Sequence, residues 1–460
     1  MTKQRITLKL STLDTIEPNN LVFKEDGVMI PGSVFQKRQD RLIIPFSELP
    51  SDLIEIFENI YQFRIQWNAI NSTMDELYQN FGSKGLEVNV VPSVLEYDEE
   101  FKKFNDFFKK YLPINFTSES IVSTATSATY HILTNIRTTS FQNFLKTLVP
   151  SGLDRIDYIE NIDIQFNKDD KNIKISWISS PFDIILTQSD TITKELGIFE
   201  VKNYDEEDLE LSGLRTSLKK RDYTPPTKTL LIIKPRHHNI NTTINYSFET
   251  PIGLHPKLKV TNLSDLSKPH ETCELFLYSH LENSLIFDKY QYDTRHLSLI
   301  DTWGDNDLEL PKYKINQYGS IQLFQFLDIP DTLEIKYHSR YLKPSNETNE
   351  HFKFLTPSIF WACDSSVITE DYKLIEKNPW DSFGFGYESF FEDTTVFYHY
   401  TNNATVLKYE IPVGLLGDFE KVQLVTLFSV LIAVAYLLFK IVKSFTSKTT
   451  TPGLDRKKNE

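Results

Sequence analysis

The chain has 460 residues, 40% of them hydrophobic and 13% aromatic, and a formal charge of −14. That length allows two domains with sizeable cores, and the composition excludes a disordered chain. The acidic balance argues against a nucleic-acid partner, which would need a clustered basic face.

Thirty-three Phe and 22 Tyr against three Met suit pleated strands better than helices. RLIIPFSEL (41–49) and IYQFRIQW (60–67) are strand-like. EEFKKFNDFFKKYL (99–112) spaces Phe101, Phe104, Phe107, Phe108 and Tyr111 three and four apart, which predicts an amphipathic helix stopped by Pro113. IDIQFNKDDKNIKISW (162–177) alternates on both sides of a polar turn and predicts a β-hairpin. The stretch 205–228 runs from acidic to basic and ends in Pro225-Pro226, which marks a surface connection and a domain boundary.

From 229, ten short apolar runs separated by turn residues predict an antiparallel β-sandwich. Two of them, CELFLYSHL and SLIFDKYQY, are consecutive strands around Glu282-Asn283-Ser284. Asp288 and Lys289 are expected where the second strand leaves the sheet, because unpaired charges are costly to bury.

Val422 to Phe439 is 18 residues without a charge. As a helix it spans roughly 27 Å, enough to cross a bilayer. Residues 440–460 carry a net +4, leaving −18 on the remainder. The positive-inside rule then puts the tail in the cytosol and everything before the span in the lumen. The N-terminus shows no apolar run of signal-peptide length, so a cytosolic tail-anchored protein is the alternative. Seven N-x-[ST] sequons, all before the span, favour the lumen: Asn71, Asn115, Asn241, Asn245, Asn262, Asn346 and Asn403. Thr426, Ser429, Ala433 and Tyr436 share one helix face that suits packing against another membrane helix, or simply decorates an isolated span.

The expected organisation is mainly β: an N-terminal β-rich α+β lumenal domain (1–225), a β-sandwich lumenal domain (226–418), a membrane helix (419–443) and a basic cytosolic tail (444–460). Cys273 and Cys363 are either one disulfide or two buried thiols.

Motifs for chemistry are missing: there is no G-x-x-x-x-G-K-[ST], G-x-S-x-G, H-E-x-x-H or C-x-x-C. His237-His238 would point to opposite faces of a strand and makes a poor metal pair. Asp305-Asn306-Asp307 lacks a βαβ context and reads as a solvated turn; FGFGYE around Gly384 and Gly386 reads as a bend between rings. No catalytic, metal or cofactor site is expected.

GLHPKLKV (253–260), CELFLYSHL with SLIFDKYQY, KYHSRYLKPS (336–345), PSIFWACD (357–364) and IPVG (411–414) occur in this order before one membrane helix with a basic tail. Together, over roughly residues 250 to 443, they resemble the PIG-X family and its fungal branch, the protease B non-derepressible proteins. The resemblance implies an endoplasmic reticulum membrane glycoprotein without catalytic activity. It would stabilise the multi-span catalytic subunit of the mannosyltransferase that adds the first mannose in glycosylphosphatidylinositol (GPI) anchor synthesis. A lumenal chaperone for several nascent glycoproteins is the alternative function, and a mannosyltransferase using Asp305 and Asp307 is a third. His255, Pro256, Asp288, Tyr290, Gln291, His338, Arg340, Tyr341 and Pro344 are the candidate docking residues. Arg340 is the expected partner of Asp288, and the pair forms either a docking surface or an internal polar clasp.

Overall fold

β-Branched and aromatic residues fit a pleated, half-buried surface, and the computed structural model is accordingly mostly strand. It describes residues 1–446 apart from 11–21, 25–26, 31–34, 79, 94–97, 118–119, 124–126, 181–183, 188, 204–207, 220–221, 224, 251, 316–318, 365–385 and 393. Most of the 444–460 tail and Gly384 therefore lie outside the described residues.

The first half is built on a twelve-stranded sheet whose centre is Phe35–Pro45, Asn172–Ser180, Tyr158–Asn167, Ile60–Asn68 and Gly85–Pro92 in that spatial order. The hairpin forms as its alternation predicts, with Asn167 opposite Asn172. Helices Ser51–Glu58, Asp98–Phe108 and Thr138–Leu148 cover one face of this sheet. Phe57, Phe104, Phe108 and Phe144 from these helices pack with Phe63, Ile65, Phe166 and Trp177 from the sheet. The amphipathic helix buries Phe101, Phe104 and Phe108, while Phe107 and Tyr111 are partly buried at its margin.

The stretch expected to be a surface connection contains strands Leu209–Lys219 and Asp222–Tyr223, and leads into Thr227–Ile233, all in the first sheet. Alternating leucines lie beneath the charges there: Leu209 and Leu211 enter one cluster, Leu214 and Leu218 another. The chain passes to the second sheet between Ile233 and His237.

The second sheet has nine strands and curls on itself. Cys273–Glu282 pairs with Gly319–Phe326 and Ser358–Asp364, whereas Leu285–Phe287, beyond a two-residue turn, pairs with Thr332–Ser339 at the far end of the path. The turn at Asn283-Ser284 thus carries the chain from one layer to the other. Leu297–Gly304 and Asn349–Leu355 are further strands. Two named pairs run parallel, Lys3–Leu10 with Thr193–Asn203 and His237–Phe248 with Thr395–Asn402, and the remaining ones are antiparallel as expected.

Strand Cys273–Glu282 is buried on both faces. Leu275, Leu277 and Leu281 fill the core of the second half. Phe276 and Tyr278 point the other way, into a cluster with Val122 of the first half. The first sheet meets that surface with Arg64, Gln66, Asn68, Glu87, His131 and Asp163, all buried. The seam between the halves is therefore polar on one side and aromatic on the other. His131 packs at a tilt against His280, ring centroids 4.8 Å apart, and Phe81 stacks at 4.7 Å on His399.

Candidate functional site

Three of the family-like segments, GLHPKLKV, SLIFDKYQY and KYHSRYLKPS, converge at the end of strand Thr332–Ser339. Its alternation sends Leu333, Ile335 and Tyr337 into the core. Where it ends, neighbouring loops take over its backbone groups. Tyr337 N donates to Pro256 O (2.9 Å), Ser339 N to Leu254 O (2.9 Å) and Arg340 N to Ser284 O (2.9 Å). This places His255 Nδ1 at 3.1 Å from His338 Nδ1, and His338 Nε2 at 3.7 Å from Asp288 Oδ2. Partial burial and the neighbouring His255 hold the His338 imidazole below its ordinary pKa, against the opposing pull of Asp288.

Asp288 leaves its strand as expected and caps the next turn. Tyr290 N donates to Asp288 Oδ1 (2.8 Å) and Gln291 N to Asp288 O (3.1 Å). The cap thrusts Tyr290 outward, 82% exposed, with Lys289 Nζ at 5.2 Å from its ring centroid. Tyr341 is 68% exposed, and His255, Gln291 and Pro344 also face solvent, while Pro256 is buried.

Arg340 corrects the expectation. It does not reach Asp288; it turns inward, 2% exposed, to the loop after Gly304. Nη1 donates to the carbonyls of Leu310 (2.8 Å) and Asp307, and Nη2 to the carbonyl of Asp305 (3.0 Å). The alternation that would have aligned Arg340 with His338 stops where the strand stops, at Ser339. A planar fork of donors then suits a curled row of carbonyls. The Asp305 and Asp307 carboxylates cap their own turns, accepting from Asp307 N (2.9 Å) and Glu309 N (2.8 Å).

The same segment runs on to the membrane helix. Ser345 N donates to Gly414 O (3.0 Å), Leu416 N to Ser345 O (2.9 Å) and Val413 N to Thr348 O (2.8 Å). A short turn, Leu416–Asp418, then opens directly into helix Phe419–Thr446. Twenty-eight residues make it about 42 Å long, and it is apolar enough to cross a membrane. The hydroxyls of Thr426 and Ser429 donate to the carbonyls of Val422 and Val425 (both 2.8 Å), so these two polar groups are satisfied within the helix.

Cys273 and Cys363 face each other on paired strands and form a disulfide. Among the sequon asparagines, Asn245 is half-buried and the other six are exposed. Asn403 Oδ1 accepts from Tyr246 N (3.0 Å). Sequence reading missed the polar seam, although Arg64 inside the apolar run IYQFRIQW was a signal for it.

The PIG-X / PBN1 family profile matches residues 251–442 of this chain. Protein PBN1 of Candida albicans is 30% identical over 438 residues, covering 86% of this chain and 88% of the relative. Protein PBN1 of Debaryomyces hansenii is 28% identical over 422 residues, with 88% and 90% covered. Protein PBN1 of Saccharomyces cerevisiae is 34% identical over 256 residues, with 54% and 58% covered. With similarity reaching across both halves of the molecule and its membrane helix, this chain belongs to the PIG-X / PBN1 family.

Proposed function

We propose that the chain is the non-catalytic, stabilising subunit of the endoplasmic reticulum mannosyltransferase that adds the first mannose in GPI-anchor synthesis. Family membership supports a role in GPI-anchor biosynthesis. The observation that carries the finer reading is the junction between body and helix. Because Ser345 is hydrogen-bonded to both Gly414 and Leu416, the body holds the chain to within three residues of the helix that starts at Phe419. That short connection supports a body kept close to the bilayer, where a multi-span catalytic subunit would meet the exposed Lys289, Tyr290 and Tyr341. Aromatic rings beside a cation make suitable interface anchors. The positive-inside rule supports a lumenal body and a cytosolic tail.

Affinity purification from gently solubilised membranes tests this, with a glycosidase mobility shift on the same sample. One multi-span glycosyltransferase should co-purify in stoichiometric amount. It should be lost from a Lys289→Glu/Tyr290→Ala/Tyr341→Ala variant that melts at the parental temperature. Recovery of many nascent glycoproteins instead would overturn the reading in favour of a chaperone. Mannosyl transfer by the purified chain alone would overturn the non-catalytic role.

A further inference from the structure

The two halves leave a gap where they meet. Residues 70–74 and 82–84 of the first face strands Cys273–Glu282, Ser358–Asp364 and Thr395–Asn402 of the second across a cavity of about 500 Å³. That volume is in the range of small-molecule sites. Tyr278, His280 and His399 bring rings to its wall, and Lys84, Asn239 and Asn402 bring polar groups. Asn402 is held there by its amide, whose Nδ2 donates to Thr356 Oγ1 (2.9 Å) and Pro357 O (3.0 Å). Flat rings beside lysine and amide groups suit a saccharide, whose C–H faces stack while its hydroxyls donate and accept.

Asn71 belongs to the same lining, exposed at its edge, and heads the sequon Asn71-Ser72-Thr73. We propose that the cavity is a saccharide site filled by the core sugars of a glycan attached at Asn71, which thereby fastens the two halves together. This rests on the lumenal placement proposed above, since only a lumenal Asn71 would be glycosylated.

The test is native deglycosylation of the full-length, detergent-purified protein, with occupancy read at each sequon by mass spectrometry. The Asn71 glycan should outlast those at other occupied sequons by about tenfold or more, because its release must await local opening. The difference should vanish after denaturation. It should also vanish in Thr405→Trp, which blocks the cavity from the opposite wall, or in Thr401→Trp should that variant not fold. A bare Asn71 with sugar on other sequons, or equal release at all of them, would overturn the proposal and leave the lumenal placement standing. A protein without sugar at any sequon would overturn the lumenal placement as well.

Discussion

The seam between the halves and the surface beside the membrane helix each contain a buried arginine, and the two are held in different ways. Arg64 meets carboxylates. Its Nε and Nη2 donate to Asp163 Oδ1 and Oδ2 at 3.0 and 2.9 Å, and Nη1 lies 3.9 Å from Glu388 in the other half. Glu388 is in turn 3.5 Å from Arg236 and 3.6 Å from His237. Arg340 donates mainly to main-chain carbonyls of one loop. Charges shared across a seam make each half depend on the other, whereas a carbonyl clamp shapes its own neighbourhood. The first arrangement should fail globally and the second locally.

Removing the guanidinium of Arg64 should have the largest effect. Burial opposes its charge, yet Asp163 and Glu388 hold its pKa above the ordinary value. Arg64→Leu would leave Asp163 buried without its cation and Glu388 with that of Arg236, a loss of ~3–5 kcal/mol. In urea, both halves should unfold in one transition at lower denaturant. A second half that kept its parental midpoint would break the comparison.

Acid should strike the seam next. Burial, more than any neighbour, lowers the pKa of His237 and His280, and pushes His399 down to about 3. These imidazoles stay neutral in the fold while the unfolded chain takes up protons below about 6.5. Their contribution is complete above that pH and declines as pH falls toward the folded values. From pH 7 to 5.5 the loss should be roughly 1 kcal/mol for each, about 3–4 in all. His280→Phe should remove about a third of that dependence, read from urea midpoints across pH.

Arg340→Lys keeps the charge but loses the fork, which should cost ~1.5–3 kcal/mol. Limited proteolysis should find new cleavage in residues 305–315 and none at the seam. The smallest effect belongs to the exposed face: Tyr290→Ala should leave stability within about 0.5 kcal/mol in thermal melts. A larger change there would mean that the turn is part of the core.

Much of the fold was legible in periodicity. The helix of Phe101, Phe104 and Phe108, the hairpin at Asn167 and Asn172, and the membrane helix all announce which residues share a face. The capped turn at Asp288 was legible too, because a charge at the end of an apolar run must find a partner or water. The strand Leu209–Lys219 was obscured, since charge blocks mask its alternating leucines. The partner of Arg340 could not be read because its loop, 305–310, lies some thirty residues earlier in the chain.

By itself, then, the amino-acid order determined local geometry: strand or helix, the apolar side of each, and a span suited to lipid. Only the tertiary structure decided what covers each remaining side. The polar faces carrying Arg64 and Asp163 would pass for solvated surface, yet the second sheet buries them. The reason is physical: alternation assigns a side chain to a face through short-range backbone geometry, but what stands opposite that face depends on contacts between residues hundreds of positions apart.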